Sequence, residues 1–367
     1  MRHAVAPLLL ASALSAHEKS VWRTTTDLGL VQQYRNCTFM MSRYMADGDN
    51  QCNDSRFYVW REPKPPRTAR ALKRSSARAS TAETMLGFAP ALAGRELVFM
   101  GDSLSRQHYI SFACRFGSLL TQSSAKWGRK DETTRYLRAA TALFDTARMP
   151  GARALRSKKT KHEHAPASAA AAPASTFVLR LEPDRPVHKL GAWFREQCTR
   201  LGARDVIITN LGAHYAFDPA GFVGNLSAAA AELKALRRAG ACAPTILWRE
   251  IAANHFKSGM WHGKSGKKKA RCYDRSPKQD ERIDAAGAYS SLNARANELM
   301  RGAGAEVLDI YGASLAAGGS AHIAGKSQDC VHWCLPGVPD QWTLMSLLRV
   351  VGDSGEHQAP KGSISIL

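Results

Sequence analysis

The sequence lacks several features that would place it in a familiar protein class. Its 367 residues contain no apolar run of the roughly 18 residues that a membrane-spanning helix needs, which excludes a multi-pass membrane protein. There is no CxxC pair, so the ligand spacing typical of a structural zinc site is missing. Acidic residues are scarce: 31 Asp and Glu stand against 51 Lys and Arg, a formal net charge of +20. That charge favours a polyanionic partner without identifying it.

The overall composition is that of a folded protein. Hydrophobic residues make up 44% of the chain and charged residues 22%, which argues against wholesale disorder and provides a large core. A chain of this length predicts one large domain or two smaller ones. The eight cysteines are an even number, but they are too sparse for a small disulfide scaffold.

The N-terminal segment has the pattern of a secretory signal. A basic start at Arg2 precedes an apolar run that ends in small residues near Ala16. We interpret residues 1–16 as a signal peptide or weak signal anchor, and the alternative is a buried N-terminal helix. Three glycosylation sequons favour an oxidising, lumenal compartment and make a nucleic-acid partner improbable. They begin at Asn36, Asn53 and Asn225.

The central part of the chain alternates between strand and helix patterns. Four short apolar runs end in polar or small residues and predict strands that are buried on both faces. Helical patterns follow over residues 227–238 and 289–301. We therefore expect an α/β sandwich with active residues at the carboxyl ends of the strands. The four runs begin at Glu96, Asp205, Thr245 and Glu306.

Three basic segments interrupt this pattern, at residues 61–80, 148–175 and 263–271. We predict that they are inserts in a catalytic domain spanning 30–352, which a disordered tail follows at 353–367. Much of the positive charge lies in these inserts. They are either solvated loops or a surface for a polyanion, and the sequence favours neither reading.

A serine follows the first predicted strand directly, in the motif Gly101-Asp102-Ser103. A sharp turn from strand to helix would expose the Ser103 hydroxyl and would aim backbone N–H groups at a developing oxyanion. Asp102 is too close to Ser103 in sequence to orient a distant base, so we assign it to the turn and to no catalytic role. The alternative is that Ser103 only caps the next helix.

Two further motifs provide the other groups that a serine nucleophile needs. His332 is a candidate base, and Asp329, three residues earlier, is a candidate for orienting its ring. Asn210 and Gly212 follow another strand and are candidate oxyanion donors beside the Ser103 N–H. The alternatives are a core histidine within a metal-like cluster of cysteines and an ordinary turn.

In combination, these motifs resemble the plant trichome-birefringence-like polysaccharide O-acetyltransferases, within the PC-esterase and GDSL/SGNH grouping. Residues 329–342 match that family's C-terminal block almost residue for residue, and residues 101–106 match its GDS block. The resemblance extends from about Asn36 to Val350. It implies a three-layer α/β/α sandwich with a mostly parallel sheet and a smaller lobe over a cleft. It also implies Ser103, His332 and Asp329 as a catalytic triad.

The resemblance further implies a reaction and a cellular setting. Acetyl would pass from a donor, acetyl-CoA or another acetyl carrier, to Ser103 and then to a hydroxyl of a polysaccharide or glycan. An acidic glycan would suit the positive charge of the chain. No metal or tightly bound cofactor is expected. The setting would be the Golgi lumen or secretion, with peripheral membrane contact. A carbohydrate acetyl esterase with the same triad and a non-catalytic glycan-binding relative are the alternatives.

Individual side chains can be carried over from the same resemblance. Gln107 stands where the plant proteins usually have Asn, and this departure leaves the expected triad intact. The candidate substrate-binding residues are Arg106, Arg249, His255 and Trp333, with a structural ion pair as the alternative for Arg106. The implied disulfides are Cys37–Cys114, Cys52–Cys334 and Cys272–Cys330, with Cys198–Cys242 as the remaining pair.

Overall fold

The computed structural model describes residues 21–25, 28–41, 44, 57–61, 85–129, 135–149, 175–215, 218–256, 272–273, 289–323 and 329–352. The expected signal segment, the predicted tail, Cys52, Asn53 and most of the three basic segments lie outside these residues. The predicted boundaries of the catalytic domain and its inserts therefore stay predictions. Within the described part, no helix combines the length and the apolar character that crossing a membrane requires.

Eleven strands are present in the described residues. They are β1 Val21–Thr25, β2 Phe57–Arg61, β3 Glu96–Gly101, β4 Leu120–Arg129, β5 Arg135–Asp145, β6 Thr176–Leu181, β7 Val206–Asn210, β8 Thr245–Arg249, β9 Glu306–Leu308, β10 His322–Ile323 and β11 Asp329–Trp333.

Eight α-helices connect or flank these strands in the described part of the chain. They are α1 Leu28–Arg35, α2 Ala89–Leu92, α3 Ser103–Arg115, α4 Leu190–Arg200, α5 Pro219–Arg238, α6 Tyr289–Gly302, α7 Tyr311–Ala317 and α8 Val338–Gly352.

Seven strands form the central sheet, in the order β4-β5-β6-β3-β7-β8-β9. Five of them, from β6 to β9 in this order, run parallel, while β4 and β5 add an antiparallel hairpin at one edge. Helices α4, α5 and α6 pack together on one side of the sheet, and α1, α3 and α8 pack on the other. The predicted α/β sandwich with a mostly parallel sheet is confirmed.

The structure also corrects the predicted elements at two places. Helix α5 begins eight residues before the predicted start, because the Asp218 carboxylate caps it and Pro219 occupies its first turn. The β4–β5 hairpin was not predicted, because the strands at a sheet edge are half exposed and lack a continuous apolar run. Two-stranded antiparallel pairs, β1–β2 and β10–β11, lie outside the main sheet. The smaller lobe stays a prediction.

Three of the four expected disulfides are present: Cys37–Cys114, Cys198–Cys242 and Cys272–Cys330. The fourth expected pair includes Cys52, which lies outside the described residues. Asn36 and Asn225 are both exposed, and their glycosylation stays a prediction.

A buried ion pair joins α3 to α8. Arg115 Nε donates to Asp340 Oδ1 at 2.7 Å, and both side chains are buried. The Ser111 hydroxyl at 2.9 Å and the Tyr34 hydroxyl donate to the same oxygen, while the Gly337 N–H donates to Oδ2 at 2.6 Å. Because every partner of Asp340 is buried, removal of the carboxylate would leave an uncompensated cation in the core.

We expect Asp340→Leu to lower the free energy of unfolding by about 3–5 kcal/mol, since Arg115 would lose its counter-charge. Chemical denaturation measures this loss. The control is Asp218→Ala, which removes only a helix cap and costs about 1 kcal/mol. Equal losses in the two variants would contradict the role assigned to the buried pair.

Candidate active site

A glycine makes possible the turn that presents Ser103. Gly101 ends β3 with φ of +150°, and a Cβ at this position would lie 1.9 Å from the Asn210 carbonyl oxygen and 2.3 Å from Ser105 Oγ. The next residue, Asp102, caps α3 by accepting from the Leu104 N–H at 2.9 Å, and its other oxygen accepts from the Ala213 N–H at 3.3 Å. Asp102 therefore belongs to the turn. Ser103 is the first residue of α3, where backbone N–H groups lack partners within the helix.

Ser103, His332 and Asp329 form one hydrogen-bonded chain. His332 Nε2 lies 2.6 Å from Ser103 Oγ, and His332 Nδ1 lies 2.6 Å from Asp329 Oδ2. Asp329 Oδ1 accepts from the backbone N–H groups of Val331 and His332, at 3.1 Å each. This arrangement is what base-assisted attack by a serine hydroxyl requires.

The environment of Asp329 keeps its carboxylate charged. Burial raises the pKa of Asp329, but the electrostatic effect of His332 and hydrogen bonds from His332 and Val331 outweigh burial and hold the pKa well below its usual range. A charged carboxylate at Nδ1 fixes the proton on that nitrogen and leaves Nε2 to accept from Ser103.

The side chain of Gln107 ties the serine helix to the histidine strand. Gln107 Nε2 donates to the Trp333 carbonyl at 2.7 Å, and Gln107 Oε1 accepts from the Trp333 N–H at 3.1 Å. Gln107 is fully buried and lies one helical turn after Ser103. Since Trp333 follows His332 directly, this pair of bonds fixes the distance between Ser103 and His332.

Two buried histidines support the backbone of His332 from behind. His322 Nδ1 donates to the His332 carbonyl at 2.9 Å, and its ring stacks on Trp333 with centroids 3.8 Å apart. His255 Nδ1 lies 2.6 Å from His322 Nε2, and the other ring nitrogen of His255, Nε2, lies 3.1 Å from the Leu315 carbonyl oxygen. Burial, and then the proximity of His255, lower the pKa of His322 well below its usual value.

Arg249 is a buried cation behind the turn that carries Ser103. Its Nη2 donates to Ser105 Oγ at 3.2 Å, and its Cζ lies 4.6 Å from the centre of the Trp342 ring. Burial lowers the pKa of Arg249 to about 10, against the opposing effect of Asp102, so the guanidinium is charged at neutral pH. Its position points to electrostatic support of the serine turn.

A pair of carboxyl groups follows Arg249 at the ends of β8 and β9. Glu250 accepts from the Asn297 amide at 2.6 Å and from the Tyr311 N–H at 2.9 Å. Burial, and then the neighbouring Asp309, raise the pKa of Glu250 to about 8. Glu250 is therefore protonated in the folded state near neutral pH.

Three of the four expected substrate-binding residues are fully buried, and the fourth is half exposed. Arg249, His255 and Trp333 are all fully buried, which does not agree with direct contact to a substrate. Arg106 is half exposed, and its guanidinium lies 4.9 Å from the centre of the Tyr136 ring on β5. In the described part of the chain, no cluster of His, Cys, Asp and Glu has the geometry of a metal site.

The expected oxyanion donors lie on the strand next to Ser103. Asn210 pairs with Gly101 across β7 and β3, and its buried amide donates to the Arg249 carbonyl at 2.6 Å. Gly212 is also buried, and a Cβ there would lie 2.3 Å from the Ile251 side chain. The contribution of Asn210 and Gly212 to an oxyanion hole stays a prediction.

Residues 82–348 match one protein-family profile, described as "PC-Esterase: GDSL/SGNH-like Acyl-Esterase family found in Pmr5 and Cas1p". The chain is 27% identical over 121 residues to "Protein trichome birefringence-like 14" of Arabidopsis thaliana, which covers 28% of each chain. It is 65% identical over 23 residues to "Xylan O-acetyltransferase 2" of Oryza sativa subsp. japonica, over 6% of this chain and 5% of that one. The aligned segments thus span under a third of each relative.

We expect Gln107→Leu to reduce kcat/KM for ester turnover by about 10- to 100-fold, because His332 would lose its fixed distance to Ser103. The free energy of unfolding should fall by about 2–4 kcal/mol, since two backbone groups of Trp333 would be left unpaired. Steady-state kinetics and denaturation measure the two effects.

The control for this variant is Gln197→Leu. Gln197 is equally buried, but its amide oxygen accepts from Arg200 at 2.6 Å on the far side of the sheet. The control should lose stability and keep its activity. Unchanged activity in a folded Gln107→Leu protein would show that the amide does not position His332.

Glu250 should make stability depend on pH. Its ordinary pKa of 4.5 is raised to about 8 in the folded state, so the unfolded chain releases this proton first as pH rises. The free energy of unfolding should therefore fall between pH 4.5 and pH 8. Glu250→Gln mimics the protonated form, so its free energy of unfolding should lack the pH dependence that Glu250 causes. The variant should therefore become more stable relative to wild type as pH rises.

Chemical denaturation on either side of this pH window measures the difference between the two proteins. The matched control is Glu298→Gln, because Glu298 is exposed on the same helix as Asn297. A constant difference between wild type and Glu250→Gln across the window would contradict the raised pKa.

Proposed function

The chain belongs to the PC-esterase family, and on that premise we propose that it is an O-acetyltransferase that acetylates hydroxyls of a polysaccharide or glycan. The observation that carries the proposal is the hydrogen-bonded chain from Ser103 through His332 to Asp329. The family's description as acyl esterases and the name of the rice relative support acetyl chemistry on a polysaccharide.

In the first half-reaction, Ser103 takes the acetyl group from a donor. His332 Nε2 accepts the proton of the Ser103 hydroxyl while Oγ forms a bond to the acetyl carbonyl carbon. The Ser103 N–H at the start of α3, with the expected donors Asn210 and Gly212, would stabilise the oxyanion. The bond to the donor then breaks, His332 gives its proton to the leaving group, and acetyl-Ser103 remains.

In the second half-reaction, an acceptor hydroxyl replaces the serine. His332 Nε2 accepts the proton of a sugar hydroxyl, and that oxygen attacks the carbonyl carbon of acetyl-Ser103. The bond to Oγ breaks, and His332 returns the proton to Ser103. Asp329 remains charged throughout and stabilises the imidazolium in both halves, in accord with its lowered pKa.

The cellular setting forms part of the same proposal. The signal pattern, the sequons and the three disulfides favour the Golgi lumen or secretion, where disulfides persist. The donor is acetyl-CoA or another acetyl carrier, and contact with a membrane would be peripheral.

A carbohydrate acetyl esterase is the second candidate. The Asp329 side chain is 35% exposed, so water reaches the edge of the site and can compete with a sugar hydroxyl for acetyl-Ser103. The two candidates share the first half-reaction and differ only in the acceptor.

We expect incubation with an acetyl donor to place an acetyl group on the peptide that contains Ser103, as measured by mass spectrometry. Ser103→Ala should abolish this adduct and lower turnover by about 10³- to 10⁶-fold. The control is Ser118→Ala, since Ser118 is exposed just beyond the same helix and lies outside the hydrogen-bonded chain.

A panel of oligosaccharide acceptors then separates the two candidates. Acetylated oligosaccharide is the expected product of a transferase, whereas free acetate as the sole product would establish the esterase. Full turnover by Ser103→Ala would refute both enzymatic proposals.

A further inference from the structure

A cleft lies at the antiparallel edge of the sheet, away from the serine hydroxyl. It has a volume of about 620 Å³, and β4, β5 and the carboxyl end of β6 line it. Its lining combines cationic, aromatic and hydroxyl side chains, including Lys126, Arg138, Trp127, Ser124 and Thr141. This combination is suited to a polar ligand with negative charge.

Two of the cations in the cleft, Lys126 and Arg138, have no counter-charge among the residues that the structure describes. Both side chains are exposed. The other charged groups are already paired: Arg180 Nε lies 2.6 Å from Glu96, and Glu182 accepts from the Trp193 ring N–H at 3.3 Å. The described lining of the cleft therefore presents net positive charge to solvent.

The hairpin that carries these cations also reaches the serine helix. On β5, Tyr136 lies under the guanidinium of Arg106, whose Cζ is 4.9 Å from the ring centre. Arg106 lies one turn after Ser103. At the other side of the cleft, the Glu182 N–H donates to the Phe99 carbonyl at 2.9 Å, just before the end of β3. An extended polymer that lies in the cleft can thus continue toward the end of β3, after which Ser103 follows.

We propose that this cleft binds an anionic oligosaccharide segment and so selects an acidic glycan as the acceptor. The inference rests on the proposed function, because it assigns the cleft to the acceptor of that reaction. Lys126 and Arg138 would pair with carboxylate or sulfate groups along the sugar chain, and Trp127 offers a ring against which a sugar face packs. Ser124 and Thr141 supply hydroxyls that hydrogen-bond to sugar hydroxyls.

Calorimetric binding to three oligosaccharides of matched length tests this inference without any acetyl donor. They are xylohexaose as a neutral probe, hexagalacturonate as a carboxylated probe and a carrageenan hexasaccharide as a sulfated probe. We expect an anionic probe to bind about five- to tenfold more tightly than xylohexaose at low salt. This is the gain in affinity that two partly exposed ion pairs, with Lys126 and Arg138, would give. The more tightly bound of the two anionic probes identifies the group that the cleft recognises.

The double variant Lys126→Gln/Arg138→Gln should lose this preference and keep its affinity for xylohexaose. The matched control is Lys234→Gln/Arg301→Gln, which removes two exposed cations from α5 and α6, helices that do not line the cleft, and should keep the preference. High salt should remove the preference of wild type as well. Equal binding of neutral and anionic probes, or a preference that survives in the double variant, would overturn the proposal.

Hydrolysis of a small acetyl ester separates failure of the cleft from failure of the proposed function. This reaction needs Ser103, with water as the acceptor in place of a sugar, so the double variant should match wild type. An inactive wild-type protein that still prefers an anionic probe would refute the proposed chemistry and retain the binding site. An active enzyme with no preference would refute the site alone.

Discussion

The candidate site depends on one constraint, the distance between a helix and a strand that are far apart in sequence. Ser103 and His332 are separated by 229 positions. Ser103 begins a helix, and His332 lies on β11, which is not a strand of the main sheet, so the sheet does not fix their distance. The Gln107 amide spans the gap by donating to and accepting from the same residue, Trp333. Both bonds are buried, so a change in the position of β11 would leave polar groups unpaired in the core. This cost maintains the distance between Ser103 and His332.

Other buried polar side chains hold the same strand from its other face. His322 donates to the His332 carbonyl and stacks on Trp333, while the Cys272–Cys330 disulfide attaches the start of β11 to a neighbouring segment. Three of the residues that sequence reasoning assigned to substrate are fully buried: His255 and Trp333 lie at β11, and Arg249 lies behind the serine turn. A fully buried side chain near a nucleophile positions the neighbouring groups and sets their electrostatic environment. A ligand can contact only the partly exposed side chains, such as Ser103, Arg106 and His332.

The sequence was sufficient to predict strands of the parallel sheet and to select Ser103, His332 and Asp329, the three side chains that the structure joins by hydrogen bonds. Continuous apolar runs such as the one before Gly101 predict buried strands, and a serine after such a run predicts an exposed turn. The contribution of Gln107 was not predictable, because a glutamine inside a helix gives no signal of a partner at position 333. His322 likewise lies in a short segment without periodicity, and the β4–β5 hairpin lacks an apolar run since one of its faces is solvated.

Under our two proposals, the architecture separates the groups for chemistry from the groups for recognition. Ser103 follows the parallel strand β3, Asp329 and His332 lie on β11, and the buried hydrogen bonds of Gln107 hold these two elements together. Lys126 and Arg138 lie on an edge hairpin with solvent on one face. Exposed side chains on an edge strand can change at little cost in stability, because they support no buried partner. Under our proposal, the choice of acceptor can therefore vary through the hairpin while the distances around Ser103 stay the same. Under the same proposal, Lys126 and Arg138 give part of the chain's positive charge a role at the edge of the sheet.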